Sequence, residues 1–220
     1  MNVMDRNLSM TYLLFGMKRQ KVTSAIGRPR AFDLEKALHR AMQVFWRKGY
    51  LGTSLSDLTE AMGINRPSLY AAFGNKKSLF RKALAHYAKG PSSYLSEALQ
   101  ESTARAVVVR LLHGVVELLT DPRTPTTCLW VHGALSCGDD SLREEFAAQR
   151  AAGLAELRTR FKRAVVDGDL PPDSDADTLA HYVQTVNFGL TVQASTGATR
   201  KELLRIVEIA LKTFAKRTNP

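Results

Sequence analysis

The clearest hydrophobic period lies in residues 54–73, SLSDLTEAMGINRPSLYAAF. Leu55, Leu58 and Met62 recur at helical spacing. The pattern breaks at Gly63 and resumes with Leu69 and Phe73, four residues apart. Two short helices joined by a tight turn satisfy both runs. Ser54 stands as the N-cap of the first, with Asp57 three residues on in the capping-box position. Gly63 suits the left-handed conformation that ends a helix. Ile64 turns back into the core, Asn65 caps the second helix, and Pro67 occupies its first turn, where a missing N–H costs little. Burial of Leu69 and Phe73 leaves Arg66, Ser68, Tyr70 and Ala71 facing outward.

The helical period continues on both sides. Asp33 caps a helix over 34–48 with the stripe Leu34, Ala37, Leu38, Ala41 and Phe45, ended by Gly49. Tyr50 packs below it, and Thr53 opens the next helix. After Phe73, Gly74 and Asn75 form a turn, and Lys76 and Lys77 open a helix that runs to about residue 89. Pro91 marks a domain boundary. Beyond it, helices are expected over 91–101, 104–120, 127–137, 139–168, 174–195 and 199–216. They are separated by Pro122 and Pro125, by Gly138-Asp139-Asp140, and by the GDLPP run at 168–172. No run of alternating Val, Ile or Thr bounded by turns reads as a strand, so the fold class is all-α.

The last two helices suggest how the chain associates. Residues 178–199 contain no Asp, Glu, Lys or Arg. His181, Gln184, Asn187 and Gln193 interrupt the stretch too often for a membrane span. A helix apolar on most sides must be buried on most sides, and a second subunit is the natural cover. Leu203, Val207, Ala210 and Phe214, flanked by Leu204 and Leu211, extend the same face. A homodimer through the helices at 174–195 and 199–216 follows.

Charge adds a second kind of information. The 220 residues carry a formal net charge of +10, with 45% hydrophobic and 24% charged residues, the balance of a soluble globular protein. Residues 1–89 hold 16 Lys and Arg against 5 Asp and Glu, whereas residues 90–220 hold 15 against 16. The positive charge is confined to the half that carries the two-helix motif, which is the footprint of a nucleic-acid-binding domain joined to a neutral one. With that, the motif reads as a helix-turn-helix. Arg66, Ser68 and Tyr70, with Asn65 and Pro67 at the helix start, suit the major groove, where they meet phosphates and base edges. Ser54 and Thr53 stand where a helix N-terminus and a hydroxyl hold a phosphate. Two lysines are electrostatically wrong at a helix start, and a phosphate near Lys76 would repair the conflict. Residues 18–32 form a basic arm in which Arg28 and Arg30 flank Pro29, suited to phosphates or a narrow minor groove.

Other features set bounds. Residues 1–26 read as a disordered basic tail, in which Met17 stands as an alternative start before the run KRQK. The patch MTYLLFGM at 10–17 is too short to span a bilayer and lacks a cleavage site after it, so no membrane role and a cytoplasmic location are expected. Cys128 and Cys137 argue for a reducing compartment rather than a disulfide framework. The pairs Glu35–His39 and Asp177–His181 sit four apart and read as surface pairs, so no metal and no cofactor is expected.

Residues 32–80, FDLEKALHRAMQVFWRKGYLGTSLSDLTEAMGINRPSLYAAFGNKKSLF, resemble the TetR family of transcriptional regulators. The stretches TARAVVVRLLHGVVELLTDPRTP, CLWVHGALSCG and GDLPPDSDADTLAHYVQTVNFGL are similar to one ligand-domain subfamily. The resemblance implies a three-helix helix-turn-helix DNA-binding domain over 27–89 and a larger helical ligand-binding and dimerisation domain over 90–220. It also implies a dimer on a palindromic operator, released when a small molecule shifts the spacing of the two heads. By position, Tyr70 matches the family's aromatic phosphate contact, Lys76 the lysine at the start of the fourth helix, and Thr53 the hydroxyl at the start of the second. Arg66 to Ser68 lie where the recognition helix reads bases. Thr59 departs from the usual Ala, and Thr127 stands where Gly is expected. Candidate effector-pocket residues are His113, Trp130, Phe146, Tyr182 and Phe188.

Three readings compete with a ligand-released repressor. An electrophile or redox sensor would act through Cys128 and needs an accessible thiolate. An α-helical enzyme would need a motif such as H-E-x-x-H or G-x-S-x-G, and neither occurs. An architectural DNA-binding protein would not carry a separate neutral domain.

Overall fold

In the computed structural model, residues 32–136 and 138–214 are described. The tail at 1–26, Arg28, Arg30 and Cys137 lie outside the described residues. Among those described, every regular element is a helix. The head comprises α1 (Leu34–Gly52), α2 (Leu55–Met62), α3 (Arg66–Phe73) and α4 (Lys76–Lys89). The body comprises α5 (Tyr94–Ala98), α6 (Ala104–Thr120), α7 (Leu129–Ser136), α8 (Asp140–Val166), α9 (Ala176–Ser195) and α10 (Arg200–Lys212). No helix of the described residues is long and apolar enough to cross a membrane.

Local chemistry sets the boundaries in the head. Asp33 accepts from the Glu35 and Lys36 amides and starts α1. Gly49 interrupts its helical geometry at φ 69° and ψ 176°, a left-handed φ that glycine adopts without a Cβ clash. Asn75 caps α4 through the Ser78 amide. In the body, the expected helix over 91–101 shrinks to the five residues of α5, because Gly90–Ser93 form turns ahead of it. Cys128 caps the start of α7: its sulfur accepts from the Trp130 and Val131 amides, the work Ser or Asp does at an ordinary N-cap.

Two apolar cores result. One is the body's own, where Val107, Leu111, Val115, Phe161, Val183 and Leu203 meet. The other gathers Phe45, Trp46, Leu58, Leu69, Phe80 and Tyr87 of the head, and it also takes in Leu118, Cys128, Leu129, Val131, Leu142 and Phe146. Packing therefore does not part at Pro91, where the sequence places the boundary. Trp46 is fully buried, and its Nε1 donates to the Thr127 carbonyl at 2.7 Å. Its ring meets Tyr87 edge-on with centroids 4.9 Å apart. The Tyr87 hydroxyl lies 3.6 Å from Cys128 Sγ and accepts from the Leu129 amide at 3.4 Å.

Ion pairs reinforce this seam. Lys77 Nζ lies 2.8 Å from Asp139 Oδ1, and Arg81 Nε lies 2.9 Å from Glu145 Oε2. The conflict of Lys77 with the start of α4 is thus resolved by a carboxylate of the body rather than by a phosphate. The basic run at 158–163, near the end of α8, is partly engaged by residues from elsewhere in the body. Arg158 pairs with Asp177, and Arg160 donates to the Glu101 carbonyl at 2.8 Å. Asp177 therefore answers Arg158 and not His181.

The apolar stripe of α10 also differs from expectation. Leu203, Val207, Ala210, Leu211 and Phe214 are buried inside this chain's own core, against α6 and α9. The residues left outward are Ile206 and Ile209 of α10 and Val192 of α9. A 64% exposed Ile209 is the signal that periodicity alone did not resolve.

Two outcomes follow for the seam. Trp46→Phe keeps an aromatic ring but leaves the Thr127 carbonyl without its donor. It lowers stability in urea unfolding by about 1–3 kcal/mol, with head and body still unfolding in one transition. Asp139 is held at about 2 by the Lys77 ammonium and the Leu142 amide, against an ordinary 3.8. A carboxyl lowered on folding adds stability that is complete above its unfolded value and is lost as pH falls toward its folded value. Asp139→Asn keeps the cap acceptor and removes the charge. Its melting temperature falls below the parent's at pH 7, and the gap closes as pH drops from about 4 to about 2.

Candidate nucleic-acid interface

The α2–α3 pair is built as its sequence dictates. Ser54 and Asp57 form a reciprocal capping box, with Asp57 Oδ2 2.8 Å from the Ser54 amide and Ser54 Oγ 3.0 Å from the Asp57 amide. The Asp57 carboxyl is held far below the usual carboxylate range by Lys48 and by these Ser54 bonds. Gly63 closes α2 at φ 68° and ψ 34°, and Asn65 caps α3 through the Ser68 amide at 2.9 Å. Leu58, Met62, Leu69 and Phe73 are buried beneath. Thr59 fits without disturbance, because its hydroxyl is donated back to the Leu55 carbonyl at 3.0 Å.

The outer face of α3 is the one anticipated. Asn65, Arg66, Pro67 and Tyr70 are exposed and Ser68 is half-buried. Tyr70 keeps 48% of its surface, unusual for a large aromatic and well placed for a phosphate. Arg66 Nη2 donates to Ser56 Oγ at 3.1 Å, so the guanidinium is steadied across the turn while its remaining donors face outward.

Two of the predicted contacts need correction. Thr53 is 1% exposed, and its hydroxyl is donated to the Gly49 carbonyl at 2.6 Å. It ties the end of α1 to the start of α2 and has no donor left for a phosphate. Ser54, exposed beside it, keeps its place at the helix N-terminus. Lys76 does not point freely outward either. Its ammonium sits 4.5 Å from the Tyr50 ring centre, and partial burial lowers its pKa against the opposing pull of Asp57. The aromatic face thus takes part of the role assigned to a phosphate, and Lys76 stays at the edge of the motif.

The five pocket candidates do not form one set. Trp130 and Phe146 meet edge-on with centroids 6.1 Å apart and, with Leu84, Leu142 and Glu145, line a cavity too tight to admit a water molecule. Phe188 packs against the same core, whereas Tyr182 packs against the other one. His113 is half-buried on α6. Gly133 is required beneath Phe146, since a Cβ there would enter the ring. Sequence reasoning missed Tyr94 and Asn187. The Tyr94 hydroxyl and Asn187 Oδ1 are buried with no hydrogen-bond partner among the described residues, an arrangement that costs about 1–3 kcal/mol apiece. Asn187, a polar residue within the uncharged stretch 178–199, was the available signal. A larger, open groove of about 710 Å³ runs between head and body past Arg47, Thr126, Thr127, His132 and Val192, and none of the five lines it.

Cys128 is 5% exposed, and burial pushes its thiol up despite the amide and Tyr87 bonds. A neutral thiol sealed in a core is a poor nucleophile, which counts against the sensor reading.

Known proteins share this arrangement. Residues 37–83 match the model of bacterial regulatory proteins of the tetR family. The chain is 30% identical over 202 residues to the HTH-type transcriptional repressor ComR of Escherichia coli K12, covering 89% of this chain and 95% of that protein. Among solved structures, a cysteine mutant of the TetR-family regulator CifR, complexed with 26-base-pair operator DNA, is 45% identical. It superposes with a TM-score of 0.80, over 86% of this chain and all of that one. With its capped helix-turn-helix and helical body, this chain belongs to the tetR family of bacterial regulatory proteins and is a helix-turn-helix transcriptional regulator.

Proposed function

We propose that the protein is a homodimeric cytoplasmic repressor that binds a palindromic operator and is released by a small molecule held in the body. The observation that carries the DNA half is the outer face of α3. It presents Arg66 and Tyr70 to solvent on a helix capped at both ends and fixed from beneath by Leu69 and Phe73. Two such helices read half-sites about 34–36 Å apart, one helical turn of DNA. Arg66 reads base edges, Ser68 and Tyr70 hold the adjoining backbone, and Lys76 adds charge at the margin. The chain needs no catalytic step for this.

The effector half rests on the packed Trp130–Phe146 pair, which a ligand would have to part, and on the Tyr94 hydroxyl and Asn187 Oδ1, buried without partners among the described residues. A ligand that satisfies those atoms and is better accommodated at a different head spacing draws the population away from the DNA-bound form. Glu145 lines the tight cavity at that pair and also grips Arg81 of the head, so occupancy and head position share a residue.

Operator binding is measured by fluorescence anisotropy with DNA from upstream of the protein's own gene against unrelated DNA, across a salt series. Specific binding is expected to exceed non-specific binding by about a thousandfold or more. Arg66→Ala loses about 1–3 kcal/mol of specific affinity. Lys76→Ala weakens all sequences alike and flattens the salt slope. A changed base preference in Lys76→Ala would reverse these two assignments. The dimer is tested separately by light scattering after size exclusion: Ile209→Glu shifts the protein toward monomer, and a dimer that persists unchanged would move the interface away from α9 and α10.

A further inference from the structure

The head holds a side-chain arrangement that DNA recognition does not use. Along α1 alone, Glu35 and His39 look like neighbours. The fold instead brings His39 to His86 of α4, 47 residues away. His39 Nδ1 lies 3.3 Å from His86 Nε2, and the rings meet edge-on at 80° with centroids 5.6 Å apart.

Two imidazole nitrogens at this separation either share one proton or share one ion. Zinc–nitrogen bonds of about 2.0–2.1 Å meeting at the tetrahedral angle place the two nitrogens about 3.3–3.4 Å apart. The observed 3.3 Å lies in that range, so the hydrogen-bonded pair could take up an ion with little movement. Glu35 lies one turn before His39 on the same face of α1, and its side chain is exposed.

We propose that His39 Nδ1 and His86 Nε2 form a chelate for a divalent transition ion of the Zn²⁺ class, with Glu35 swinging in as third ligand and water completing the shell. Among the described residues no three ligands already surround one point, so the ion itself gathers the third. Such a site joins the two helices that carry the DNA-binding motif. An ion held only by the folded head stabilises it through mass action.

The test uses the full chain freed of any affinity tag, with ZnCl₂ as the probe, in titration calorimetry and thermal melts. At pH 7.5 one ion binds per chain. At a free concentration a hundred times Kd it raises the melting temperature by about 5 °C or more. At pH 5.5 the affinity falls at least about tenfold, because an imidazole ligates a metal only in its neutral form. His39→Ala abolishes binding, and since His39 is exposed the fold survives the change. His86→Gln also abolishes it, whereas His181→Ala, at a distant exposed histidine, leaves it intact. Glu35→Gln weakens it. No heat and no thermal shift at millimolar ZnCl₂, or binding that persists in His39→Ala, would overturn the site. Binding unchanged in Glu35→Gln would remove the third ligand.

Discussion

The structure depends on one shared core at the junction of head and body. A four-helix head of some sixty residues buries too little apolar surface to be robust by itself. Here it borrows six buried residues from α6, the start of α7 and α8. The indole of Trp46 reaches out of the head to the Thr127 carbonyl, and the phenol of Tyr87 reaches the sulfur and amide that begin α7. These are polar bonds inside an apolar volume, where an unmade bond is costly and a made one is directional. They fix the angle between the two parts as well as their contact. The ion pairs of Lys77 and Arg81 then act on a geometry already set.

The same junction explains why functional features cluster on α4 and α8. α4 meets the Tyr50 ring at Lys76, the body at Lys77 and Arg81, and the core at Phe80, Leu84 and Tyr87. Opposite it, Glu145 and Phe146 are consecutive residues on α8. One holds the head, and both line the cavity against Trp130. This short segment thus meets the head directly, without a long relay.

Much of the head was legible in the sequence, because its signals are local. Ser54 with Asp57, Gly63, Asn65 and Pro67 specify their turns through bonds within four residues. What escaped were the partners supplied from far along the chain. Thr53 looked like a phosphate donor because its acceptor, the Gly49 carbonyl, exists only once α1 is broken by a left-handed glycine. The partners of Lys77 and Arg158 were not visible because Asp139 and Asp177 lie 62 and 19 positions further along the chain. The stripe of α10 was read correctly as buried but assigned to the wrong cover, since periodicity gives the face and not its occupant. In the body, Trp130 and Phe146 were recoverable as large residues. Tyr94 was not, because an unpartnered atom is a property of the assembled core, and Asn187 showed only as a polar residue in an uncharged stretch.

The borrowed core also bears on how such regulators diversify. A head that completes its interior with Leu118, Cys128, Leu129, Val131, Leu142 and Phe146 is not a cassette that can be cut at residue 90 and moved to another body. Recombination at that point would hand Trp46 a stranger's loop and leave its indole without a carbonyl. New DNA specificities are therefore reached more readily by substitution on the outer face of α3, which nothing in the body touches. Residues of the body that line the seam change only in step with the head. Surface and seam thus drift on one chain at unequal speed, the first free and the second tethered to the architecture.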